Sequence, residues 1–270
     1  MTVWGAGTLA RTPGARDNRV EGGAMNATIK ERRAVWPSRA DWLVLLDHFG
    51  AAALGGLAAG FLIGGIGGRL AMFILRVTSD DSVIGIQSDD DFTIGEISLD
   101  SIFLIAATTL VGTLLAFGYL LVRRWLPDRR RPLQAAVFFG LVGGAAVIKP
   151  DGVDFSLLSP LWLAIALFVA LPAAYGWFMA WIVESLIARP GRLRRARVAG
   201  IIGFVVVGFF GLMSAIIAVV GLLLVLIGRR WPAVAAAVTH PVPTWTVRFV
   251  LLVIAGVALQ ELLIDASEIL

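Results

Sequence analysis

In its 270 residues the chain contains no cysteine, only two histidines and only two lysines. Without cysteine there are no disulfides, thiolate nucleophiles, iron–sulfur clusters or cysteine-held zinc. With His48 and His240 alone, a site needing three imidazoles cannot form. Also missing are an HExxH helix, a Gly-x-Ser-x-Gly elbow, a Walker-type phosphate loop and any acidic pair inside an apolar run. These gaps point away from an enzyme, and no cofactor is expected. Charge is scarce too, at 16% of residues against ~25% in ordinary soluble domains.

What fills the chain is apolar. Hydrophobic residues make up 58% of it and the mean hydropathy is +0.85. No single water-soluble core absorbs that excess, so lipid must solvate it. The clearest instance is SIFLIAATTLVGTLLAFGYLLV, residues 101–122, which carries no charge and is followed by RRWLPDRRRP. A run of that length crosses a bilayer, and the arginines after it mark the side on which it ends. The net charge of +4 and pI near 10.3 therefore reflect membrane orientation and affinity for anionic headgroups, with no nucleic-acid partner implied.

Similar runs define six expected spans, at about 44–70, 101–122, 133–149, 161–183, 198–228 and 249–264. Each must be helical, because backbone groups facing lipid need partners within the segment. Basic residues cluster at Lys30–Arg39, Arg123–Arg131 and Arg189–Arg197, whereas 77–100 has none and 149–160 has only Lys149. The first three segments are expected to face the cytoplasm and the last two the outside, with two spans between successive basic segments. On that reading both termini are cytoplasmic and the protein resides in the cell membrane. The run 198–228 fits poorly: a single crossing places Arg229 and Arg230 outside, as one long tilted helix with snorkelling arginines, while a re-entrant or hairpin arrangement leaves Arg229 inside. Residues 1–40 read as a disordered cytoplasmic tail, with Met25 an alternative start, and 41–270 as the transmembrane bundle.

Small residues at spacings of four mark close helix packing. The strongest series is Gly56, Gly60, Gly64 and Gly68, a glycine zipper on one face. Thr108/Gly112/Ala116, Ala136/Gly140/Gly144 and Ala166/Ala170/Ala174 are weaker versions. Pro172 removes one backbone bond from the fourth span and should kink it.

Few residues suggest chemistry. The segment VTSDDSVIGIQSDDDFTIGEISLD, residues 77–100, is acidic and suits a small extracytoplasmic cap with a β-hairpin at 83–97. Asp89, Asp90 and Asp91 are its candidate cation ligands, since carboxylates suit hard cations and acidic mouths concentrate them; a solvated cap beside Arg69 and Arg76 is the simpler reading. Asp47, His48, Glu184 and Glu261 lie near expected inner helix ends and would form a polar pocket if they converged.

GGRLAMFILRVTSD, SDDDFTIGEI, YLLVRRWLP and PDGVDFSLLSPLWLAIALFVALPAAYG together resemble uncharacterised multi-pass membrane proteins of high-GC bacteria, over about residues 64–183. The resemblance implies a membrane location and brings no assigned activity. The sequence thus leads to an all-α integral membrane protein of about six transmembrane helices. Its expected role is that of a non-enzymatic accessory or scaffold subunit, with the lipid bilayer and either a membrane-protein partner or further copies of itself around it. A cation channel or transporter with an acidic outer vestibule is the alternative.

Overall fold

Apolar runs this long satisfy their backbone only as helices, and helices account for almost all of the structure. A computed structural model describes residues 39–79, 99–150, 159–210 and 241–270. The chain divides into two units at Trp42, and of the first only the opening residues of a helix, from Arg39, are described. Residues 1–38, the segment 80–98 on which the expected hairpin and cap fall, 151–158 and 211–240 lie outside the described residues. Among the described residues there is no strand.

The elements are α1 (Arg39–Ala59), a π-helical stretch (Gly60–Gly67), α2 (Gly68–Thr78), α3 (Leu99–Val122), α4 (Arg131–Val147), α5 (Leu161–Ile187), α6 (Pro190–Phe210) and α7 (Pro241–Ile269). Two single 3-10 turns, Arg123–Trp125 and Asp128–Arg130, join α3 to α4 around Pro127. Four helices are long and apolar enough to cross a membrane: Trp42–Thr78, Ile102–Trp125, Leu161–Ile187 and Thr244–Ile269. α4, at 17 residues, reaches about 25 Å at ~1.5 Å per residue, slightly under a ~30 Å hydrocarbon layer.

Several boundaries move from their expected places. The first rod does not stop near residue 70 but runs on to Thr78, taking Arg69 and Arg76 into α2. The arginine segment 188–197 is not a loop: only Ala188 and Arg189 separate α5 from α6, so Arg192, Arg194, Arg195 and Arg197 sit on the first turns of a helix. α7 begins at Pro241, eight residues before the expected span. Pro172 does lie inside α5.

Glycine governs how the rods approach. A Cβ added at Gly56 would meet the Thr113 Cα at 2.5 Å, and one at Gly60 would meet the Thr108 carbonyl oxygen and Thr109 Cα, each at 2.8 Å. α3 therefore lies backbone to backbone on the first rod, which only glycine permits there. Gly64 faces the Thr108 side chain, while nothing lies within 4 Å of the corresponding position on Gly68. Gly112 of α3 sits between Gly60 and the ring of Tyr175, whose hydroxyl donates to the Gly112 carbonyl. The π-helical stretch that carries Gly60, Gly64, Gly65 and Gly67 widens the rod just at this crossing.

α4 and α5 pack along most of their length. The Pro172 ring fills the space that a Cβ on Gly143 would need, Ala173 does the same at Gly140, and the Ala135 carbonyl and Phe139 ring crowd Gly176. Phe139 and Tyr175 meet edge to face at 5.4 Å between centroids. The α5 residues used are Val169, Pro172, Ala173 and Gly176, not the expected stripe: Ala166, Ala170 and Ala174 are exposed.

α7 runs parallel to α4. Near its start the Arg248 Nε donates to the Trp125 carbonyl at 2.7 Å, beside the arginine-rich turns. Near its finish Asp265 pairs with Lys149 at 3.4 Å, and Ala258 and Leu262 join Leu75, Ala145, Ile148 and Ala164 in one apolar cluster. At that second end Ser79 of the first rod accepts the Ser159 N–H at 2.8 Å. A six-span bundle would send α7 the other way, with its last residues beside the arginine-rich turns.

Candidate functional site

Polar groups concentrate at the arginine-rich end, where two ion-pair centres form. The first is built where α3 ends: Tyr119 lies on its last turn and Arg123, four residues on, opens the 3-10 turn that follows. α5 brings Glu184, the lone charged residue in its apolar run, and α4 starts with Arg131. The Arg123 guanidinium grips Glu184 with both arms, Nε to Oε1 and Nη2 to Oε2, each at 2.8 Å. Tyr119 donates its hydroxyl to Oε1 at 2.9 Å, and Arg131 Nη1 donates to Oε2 at 3.1 Å. Arg131 also reaches Asp128 on the preceding turn. The side chains of Arg123, Arg131 and Glu184 are 15%, 13% and 23% exposed, so the pair is partly desolvated and fixed in a two-pronged geometry.

The second centre joins α1 to α6. Arg197 donates Nε to Asp47 Oδ1 at 2.5 Å and Nη2 to Oδ2 at 2.9 Å. Gly50 and Gly200 bring the two backbones into direct contact beside it. Accepting these bonds, the Asp47 carboxylate raises the Arg197 pKa above its usual value, so the guanidinium is charged at any ordinary pH.

The four expected pocket residues do not share hydrogen bonds with one another. Asp47 and Glu184 belong to these separate centres, the His48 Nδ1 contacts its own helix at the Val44 carbonyl (2.8 Å), and Glu261 is exposed. Asp89, Asp90 and Asp91 lie outside the described residues, and among those described no three His, Asp or Glu side chains gather as metal ligands would. The Glu184 carboxylate accepts from three side chains, the Tyr119 hydroxyl and the Arg123 and Arg131 guanidinium groups. The chemistry available is that of a clamp tying the ends of α3, α4 and α5.

No protein-family model, no curated protein and no solved structure matches the chain.

Proposed function

We propose that the chain is a multi-pass membrane protein acting as a non-enzymatic accessory or scaffold subunit. The observation that carries this is the character of the interior. Among the described residues Thr113 is the one fully buried polar side chain, and its hydroxyl bonds the Thr109 carbonyl of its own helix at 2.7 Å. The partly buried ion pairs sit towards the helix ends, Arg123 and Arg131 with Glu184 and Arg197 with Asp47. A conduction path needs a polar lining, so the scarcity of fully buried polar side chains among the described residues favours a structural role over the channel reading. The resemblance of residues 64–183 to multi-pass proteins of high-GC bacteria accords with the membrane location and carries no role.

The arginine-rich end is read as cytoplasmic. Ile187 and the start of α7 then share that side, and residues 188–240 must cross an even number of times. Their length accommodates two crossings of ~20 residues; one tilted passage does not meet the parity. Two crossings there make seven in all and a re-entrant segment makes five; on either reading the carboxyl end of α7 is extracytoplasmic rather than cytoplasmic.

Reconstitution into potassium-loaded liposomes tests the role. Cation leak equal to that of empty liposomes is expected, together with a stoichiometric membrane-protein partner, or further copies of this chain, recovered from native membranes. A cation flux that falls when Asp89, Asp90 and Asp91 are replaced by Asn would overturn it in favour of the channel.

A further inference from the structure

The arginine-rich end carries more positive charge than its own carboxylates neutralise. Arg123 and Arg131 are held by Glu184, and Arg131 also by Asp128. Among the described residues no acidic side chain pairs with Arg124, Arg129, Arg130 or Arg248. Two of these four converge on a single tryptophan. The Arg124 guanidinium lies 4.1 Å over the Trp125 ring, and Arg248 donates to the Trp125 carbonyl at 2.7 Å. Trp125 thus contacts its neighbour Arg124 through its ring and Arg248 of α7 through its carbonyl, two arginines 124 residues apart in the chain.

The surroundings of this pair are apolar and open. Trp245 and Phe249, on the turns of α7 next to Arg248, are each 67% exposed. Only 11% of the most apolar stretch of α7 is covered by other parts of the protein. A ligand that fits must therefore carry negative charge at the level of Trp125 and hydrocarbon running away from it along α7. Indole rings favour headgroup depth, and an arginine fork matches phosphate oxygens. An acidic protein segment would meet the charge but leave the apolar surface beside it unexplained.

We infer that Arg124, Arg248 and Trp125 form a binding site for an anionic glycerophospholipid, its phosphate between the two guanidinium groups and its acyl chains along Phe249 of α7. This site rests on the reading of the chain as membrane-embedded. It also gives the start of α7 an attachment through lipid beside its bond to the Trp125 carbonyl.

The test is native mass spectrometry of the detergent-solubilised full chain with dioleoyl phosphatidylglycerol or dioleoyl phosphatidylcholine added. Retention of phosphatidylglycerol over phosphatidylcholine is expected, and Arg124→Gln/Arg248→Gln should weaken it about tenfold or more, on the scale of two basic side chains at a lipid surface. Arg124→Gln alone, whose exposed side chain holds only the ring, should lower retention without altering the helical circular dichroism. Arg192→Gln/Arg194→Gln, exposed arginines on α6, should leave it unchanged. Equal retention of the two lipids, or undiminished phosphatidylglycerol binding in both the single and the double variant, would overturn the site. Inorganic phosphate displacing the lipid at millimolar concentration would also overturn it, by making it a free-anion site. Failure of the membrane reading shows itself separately, as a chain that stays in solution when detergent is withdrawn.

Discussion

Replacing Gly60 by alanine and, separately, Gly68 by alanine sets two equivalent positions of one sequence pattern against each other. Both belong to the same spacing of four, and alanine improves helix propensity at either by ~0.5–1 kcal/mol. At Gly60 the new methyl would stand 2.8 Å from the Thr108 carbonyl oxygen and 2.8 Å from the Thr109 Cα. Both are backbone atoms of α3 and cannot rotate away, so the rods must separate. Forcing an extra carbon into such a contact costs ~1–3 kcal/mol, which outweighs the propensity gain and leaves Gly60→Ala destabilised by about 1–2 kcal/mol. At Gly68 nothing lies within 4 Å and the backbone is helical, with φ −60° and ψ −44°. Gly68→Ala should therefore be neutral or more stable by up to ~1 kcal/mol. Unfolding by sodium dodecyl sulfate in mixed micelles, followed by tryptophan fluorescence, measures both. The packing described for α3 fails if Gly60→Ala is as stable as the parent, or if Gly68→Ala loses as much as Gly60→Ala.

The ion-pair centres give two further expectations in the same assay. Glu184→Ala strips the shared acceptor from Arg123, Arg131 and Tyr119 and leaves two partly buried cations facing each other, for an expected loss of about 3 kcal/mol; a loss below about 1 kcal/mol would mean the clamp does not hold the helix ends. Asp47→Asn removes the single partner of Arg197, and the loss should be smaller than for Glu184→Ala because one cation rather than two is released.

The helices were legible because bilayer-length apolar runs leave little choice of structure. Gly56, Gly60 and Gly64 lie where a small-residue face belongs, against α3, whereas Gly68 carries the same spacing past the crossing into open space. Ala166, Ala170 and Ala174 have that spacing too, yet they face outward, since alanine in lipid is as comfortable as alanine in a helix contact. Spacing alone does not say which face has a neighbour. Glu184 stands out in the sequence as a titratable group, whereas Arg123 and Arg131 read there as orientation signals. The stronger clue is its solitude: one carboxylate in a 27-residue apolar helix must find cations, and Arg123 directly follows α3 while Arg131 begins α4. The direction of α7 had no local signal at all. It depends on which ends Arg248 and Asp265 meet, contacts more than a hundred residues apart in the chain.

That direction carries the topology, and the absence of cysteine makes it directly measurable. Single cysteines placed at the exposed positions Arg129 and Ser267 can be probed with a membrane-impermeant maleimide in intact cells expressing the protein. Ser267→Cys should be modified in intact cells and Arg129→Cys only after the membrane is permeabilised. Modification of both from the same side, as two cytoplasmic termini would require, would contradict the extracytoplasmic carboxyl end of α7.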